Sequence, residues 1–129
     1  MDADASAVLA EALLRRAAAT VQFDAVASVI VAVWLDVDDA LYPVIGHRGV
    51  AALCRRSLHL AAVDRPWLKD AIEAPYAMPD PRKLKEVLAQ RTPEEAAAAG
   101  AALLQTLHSL LASLVGVPLT GQLLDGLWS

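Results

Sequence analysis

Residues 92–115 read TPEEAAAAGAALLQTLHSLLASLV, and this stretch decides the fold class. Thr92 offers a side-chain oxygen to cap a helix, and Pro93 suits the first turn, where its missing N–H is no loss. Glu94 and Glu95 then sit at the positive end of the helix dipole. Alanine and leucine, both strong helix formers, continue the pattern until Gly116 and Pro118 stop it. Leu103, Leu104, Leu107, Leu110, Leu111 and Leu114 share one face, while Ala98, Ala102, Gln105, Ser109, Ala112 and Gly116 share another at the same three-four spacing. No residue between Glu95 and Asp125 carries a formal charge. A helix without a charged face needs cover on all sides.

Three kinds of cover compete. A bilayer is one, because residues 96–119 exceed the roughly twenty apolar residues a span requires. Gln105, Thr106, His108, Ser109 and Ser113 interrupt that run, and no charge asymmetry flanks it, so no membrane span is expected. The second cover is a bundle formed by the chain's own helices. The third is a partner: the leucine face meets the core, and Ala98, Ala102, Gln105, Ser109 and Ala112 admit a helix of a second copy or of another protein. On that basis a homodimer is one expected form.

The other segments extend the helical pattern. Residues 4–20 form an outer helix with a thin stripe of Leu9, Leu13 and Ala17. Phe23, Val26, Ile30, Val33, Val37, Ala40 and Val44 mark a core helix ended by Pro43 and Gly46. Residues 46–63 give a third helix, with Val50, Leu53, Cys54, Ser57, Leu58, Leu60 and Ala61 inward. Asp64 and Pro66 open a short helix to Ile72, and Asp80 and Pro81 open another to about Arg91, with Leu84, Val87 and Leu88 inward. Thr120 is placed to cap a last helix through Leu124 and Leu127. Residues 73–81, with three prolines around Tyr76 and Met78, form the one long irregular connection. The expected fold is therefore a compact all-α bundle of five to six helices in a single domain, 1–129.

Composition narrows the function classes. The chain has 129 residues, 57% of them apolar and 20% charged, enough for a packed core and far from the composition of a disordered segment. A net charge of −4 gives no basic footprint for nucleic acid. One cysteine excludes a disulfide framework, and no secretory leader is legible, which points to the cytoplasm. The stretches YPVIGHRGVAALCRRSLHLA, RPWL and LTGQLLDGLW resemble parts of small bacterial helical proteins without carrying a family signature.

Catalytic and cofactor patterns are missing. There is no Gly-x-Ser-x-Gly turn and no phosphate-cradling glycine loop, and Cys54 falls on the apolar side of its helix. Glu94-Glu95 and Asp38-Asp39 are adjacent in sequence and point apart on a helix. His47, His59 and His108 lack the i, i+4 pairing of a metal site, so neither a metal nor a cofactor is expected. The best polar constellation is Arg48, Arg55 and His59 on one strip, with Arg56 beside it. It suits an acidic partner, a carboxylate or a phosphate, through the planar guanidinium fork. A competing use is pairing with Asp36, Asp38 and Asp39, which sit at an unfavourable dipole end of the preceding helix. That internal pairing is the favoured expectation.

The expected function is a non-enzymatic protein-interaction or regulatory module. One alternative is a sensor holding a small ligand in the bundle interior, contacted by Gln105, His108 and Ser109. Another is a phosphotransfer domain using His59, with Arg55 and Arg56 stabilising the developing charge.

Overall fold

The computed structural model describes residues 3–18, 25–72 and 80–127. They form α1 (Ala3–Ala18), α2 (Ala25–Asp64), a 3-10 helix (Pro66–Ala71), α3 (Pro81–Ala89), α4 (Pro93–Val115) and α5 (Val117–Leu124). No strand occurs among the described residues. The chain is an all-α bundle with α4 inside it, packed against α1, α2, α3 and α5.

The caps explain where the helices begin. Thr92 Oγ1 accepts the Glu95 backbone N–H at 3.1 Å, and the same hydroxyl donates to Glu95 Oε1 at 3.1 Å. Arg91 adds a salt bridge to Glu95 at 3.8 Å and lies over the Trp67 ring, 4.5 Å from its centroid. Asp80 Oδ1 caps α3 by accepting the Arg82 N–H at 2.9 Å. Removing the Thr92 hydroxyl orphans a helix-end donor, so Thr92→Ala is expected to lower stability by about 1 kcal/mol. Chemical denaturation checks this, and Thr92→Asp should hold close to wild type.

Two glycines join helices without any loop. Gly46 has φ 75° and ψ 171°, and Gly116 has φ 92° and ψ 157°, a region essentially restricted to glycine. At Gly46 the break divides α2 into arms of residues 25–45 and 47–64, so the stop expected there is real but the next helix follows at once. Pro43 lies inside the first arm rather than beyond its end. At Gly116 the same residue ends α4 and begins α5, which displaces Thr120 from its expected capping position. Thr120 is instead buried one turn into α5, and its hydroxyl donates to the Gly116 carbonyl at 2.8 Å. Asp64 is likewise the last residue of α2; Arg65 precedes the 3-10 helix and makes no side-chain cap.

The core draws on every helix. Leu9, Leu13 and Ala17 are buried along α1. The first arm of α2 gives Val26, Ile30, Val33, Trp34, Val37 and Leu41, and the second gives Val50, Leu53, Cys54, Leu58 and Ala61. Leu84, Val87 and Leu88 of α3 face inward, as their spacing predicts. From α4 come Leu103, Leu104, Leu107 and Leu111. Val44, Leu60 and Leu114 were expected inside and are exposed instead. Val37 plus four residues reaches Leu41, which is buried, where plus three reaches Ala40, which is half-buried, so the stripe ends on Leu41 and Val44 is left outside it. Leu114 belongs to the last turn before the Gly116 joint, where Ser113, Val117 and Pro118 are exposed too. The irregular segment 73–81 lies outside the described residues up to Pro79, and so do Phe23, Tyr76 and Met78.

Candidate functional site

The arm of residues 47–64 carries a strip of cationic side chains. From residue 40 to residue 63 there are three arginines and two histidines and no carboxylate, on a chain whose net charge is −4. Helical periodicity sorts these residues. Leu53, Cys54, Ser57, Leu58 and Ala61 turn inward, and Ser57 is satisfied there by donating to the Leu53 carbonyl at 2.8 Å. Arg48, Ala52, Arg56 and His59 are exposed, and Arg55 is half-buried at the edge of the strip. Sequence periodicity thus places all four predicted polar residues on one outer face.

Ala52, Arg55, Arg56 and His59 line a shallow depression of about 380 Å³. Their spacing explains it. Positions i, i+3, i+4 and i+7 form a diamond on a helix surface, each corner one turn from the next. Three corners hold long donor side chains, and the fourth holds only a methyl group, so a hollow remains between them. The depression is a property of this sequence pattern.

The expected pairing with the acids of the first arm does not form at Arg48, Arg56 or His59. The salt bridges between described residues are Arg82 with Asp80, Arg91 with Glu95, and His108 with Asp125. Asp38 instead lies close enough for its charge to act on the Cys54 thiol. Those residues stand eight positions before and eight after Gly46, so the break folds the two arms toward each other. Burial first, and then Asp38, push the Cys54 thiol up from 9.0 to about 12. A buried neutral thiol is no nucleophile.

Two apolar residues belong to this face that the strip alone did not reveal. Leu60 and Val63 are exposed beside His59, and Val63 is 72% accessible. Val63 follows His59 by four residues and so continues the strip, a signal present in the spacing. At the other end of the arm, the His47 ring packs on Tyr42 with centroids 4.0 Å apart.

The remaining candidates lie on α4. Ala98, Ala102, Gln105 and Ala112 are half-buried, and Ser109 is exposed. Gln105, His108 and Ser109 therefore stand on the outer side of the helix rather than lining the bundle interior. His108 Nε2 meets Asp125 Oδ1 at 3.2 Å, which ties α4 to the end of α5. Among the described residues no group of three His, Cys, Asp or Glu side chains converges as metal ligands do. Helix α4 is long and apolar enough to cross a bilayer by length and composition alone. Its contacts with four other helices equally fit a bundle core.

No family model matches the chain, and neither a curated protein nor a solved structure does. What the fold and the site define is a class of shape and charge: an all-α bundle presenting a cationic helical face with an apolar edge.

Proposed function

We propose that the chain is a non-enzymatic protein-interaction module of regulatory type, holding an acidic segment of a partner on the face of residues 47–64. One observation supports this reading above the others. Arg48, Arg56 and His59 are exposed and make no salt bridge to the acids of their own helix, and exposed Leu60 and Val63 lie beside Arg56 and His59. Arginine beside apolar surface is the composition of protein interfaces, where the guanidinium supplies both charge and contact area. Charge complementarity then sets the choice of partner and speeds its encounter.

Fluorescence anisotropy with a labelled hexaglutamate peptide tests the reading. Wild type should bind it, more weakly as salt is raised, because the groups are exposed. Arg48→Glu with Arg56→Glu should weaken binding by about tenfold or more, about 1.4 kcal/mol, with the circular dichroism spectrum unchanged. Absence of binding by wild type, or equal binding by the double variant, overturns the proposal.

A further inference from the structure

The two arms of α2 carry opposite charge. From residue 25 to residue 45 there are three aspartates and no lysine or arginine, and from residue 47 to residue 63 there are three arginines and no carboxylate. Resting on the interaction reading above, we infer that the acidic segment held on the second arm is the first arm of a second copy of this chain.

Three features carry the inference. The first is charge left unmatched within one molecule. Asp36 and Asp39 are exposed on the first arm, and Arg48 and Arg56 on the second. None of these four enters a salt bridge among the described residues. Asp38, the half-buried acid of the first arm, acts on Cys54 between the arms, so the exposed acids and arginines lie where only another molecule can join them. The second is apolar surface on the same two faces. Leu35 and Tyr42 flank Asp39, four residues before and three after, and are 46% and 47% exposed. Leu60 and Val63 follow Arg56 by four and seven residues and are exposed as well. Each arm thus sets apolar area beside its charge, and that area stabilises an interface once charge has aligned it. The third is shape. Arg48 and Arg56 stand one turn either side of exposed Ala52, about 12 Å apart along the axis, which is about the width of a helix with its side chains. A helix laid across Ala52 therefore has one arginine on each flank, and the lone methyl group lets it come close. Asp36 and Asp39 are surface neighbours on that helix, so they arrive at one crossing point.

Sedimentation velocity of the full chain over a concentration series tests this. Wild type should associate reversibly, and about ten times the ionic strength should weaken association about tenfold, because the groups are exposed. Excess hexaglutamate should separate the copies by occupying the second arm. Asp36→Lys with Asp39→Lys should stay monomeric where wild type associates, and so should Arg48→Glu with Arg56→Glu, both with unchanged circular dichroism. An equimolar mixture of these two variants should associate again, since each altered arm meets an arm of opposite charge and the unaltered arms still match. The aspartate variant keeps its arginines and should bind hexaglutamate within about twofold of wild type.

A wild type that stays monomeric overturns the inference. So does association that excess hexaglutamate leaves intact, or a mixture of the two folded variants that fails to associate. If hexaglutamate binds while wild type stays monomeric, the second copy falls and the interaction module stands. If wild type neither binds hexaglutamate nor associates, both fall.

Discussion

Replacing Gly100 with alanine is expected to lower stability by about 1–3 kcal/mol, although the same change in an exposed helix raises it by about 1 kcal/mol. Gly100 lies inside α4 with ordinary helical geometry, so its value is not conformational. A methyl carbon at this position would lie 2.5 Å from Ile30 Cδ1 and 2.7 Å from Ile30 Cγ1. Ile30 is itself fully buried on the first arm of α2. The glycine therefore sets how closely α4 and α2 cross, and any side chain there forces the helices apart or Ile30 off its rotamer. Valine should cost more than alanine, on the order of 3 kcal/mol or above, because it adds bulk at the contact and loses helix propensity. Ile30→Val alone should cost about 0.5–1.5 kcal/mol, the ordinary loss of one buried methyl group. Combined with Gly100→Ala, it should recover part of the loss, because the offending Cδ1 is gone. Urea midpoints of the four chains give the coupling directly. A Gly100→Ala chain more stable than wild type would show that the helices do not meet this closely.

That contact illustrates what periodicity can and cannot read. Helix starts were legible wherever a side-chain oxygen, a proline and an acid stood together, as at Thr92 and Asp80, because caps are local chemistry. Long helices were legible from their stripes. The joint at Gly116 was legible only as a stop. At Gly46 the sequence places one helix directly after another, and at Gly116 it looks like a helix end with the next helix capped only at Thr120, whereas a glycine at φ 92° lets that helix begin at once. Thr120 is therefore no cap, because the chain has already turned at Gly116, and Asp64 is none because α2 runs on through it and Arg65 takes the position before the 3-10 helix. Gly100 appears in sequence as an ordinary weak point of a helix, and only the position of Ile30, seventy residues earlier, gives it meaning.

The candidate site divides the same way. The outward strip of Arg48, Arg55, Arg56 and His59 follows from the 100° step of a helix and was fully legible. Its electrostatic setting was not, because pairing depends on where the first arm points after Gly46. Arg48 and Arg56 make no salt bridge to Asp36, Asp38 or Asp39, and Asp38 acts on the Cys54 thiol. The consequence reaches the surface: Arg48 and Arg56, without a salt bridge to the acids of their own helix, stay exposed.

Cys54 should impose a steep alkaline limb on stability. The thiol is fully buried, and burial, with Asp38 as a second cause, pushes it from 9.0 up to about 12. The unfolded chain loses this proton near pH 9, while the folded chain keeps it until about pH 12. Across that window the folded state binds more protons than the unfolded state, so stability falls as pH rises. The contribution is fully present below pH 9 and declines by about 1.4 kcal/mol per pH unit above it, on the order of 4 kcal/mol in all. Cys54→Ala removes the group. It should be less stable than wild type at neutral pH, by about 1 kcal/mol for a small cavity, and lose less on going to about pH 10.5. Tyrosines and lysines titrate in both chains and cancel in the comparison. Parallel pH profiles of the two urea midpoints would refute the assignment. Asp38→Asn should soften the limb by a smaller amount, since it removes only the second cause. The same burial matters for the cationic face, because Cys54 lies directly before Arg55 in the same arm. A thiolate there would place a negative charge beneath the arginines and cancel part of their field. Held neutral, Cys54 leaves the positive charge of the arm facing outward undiminished.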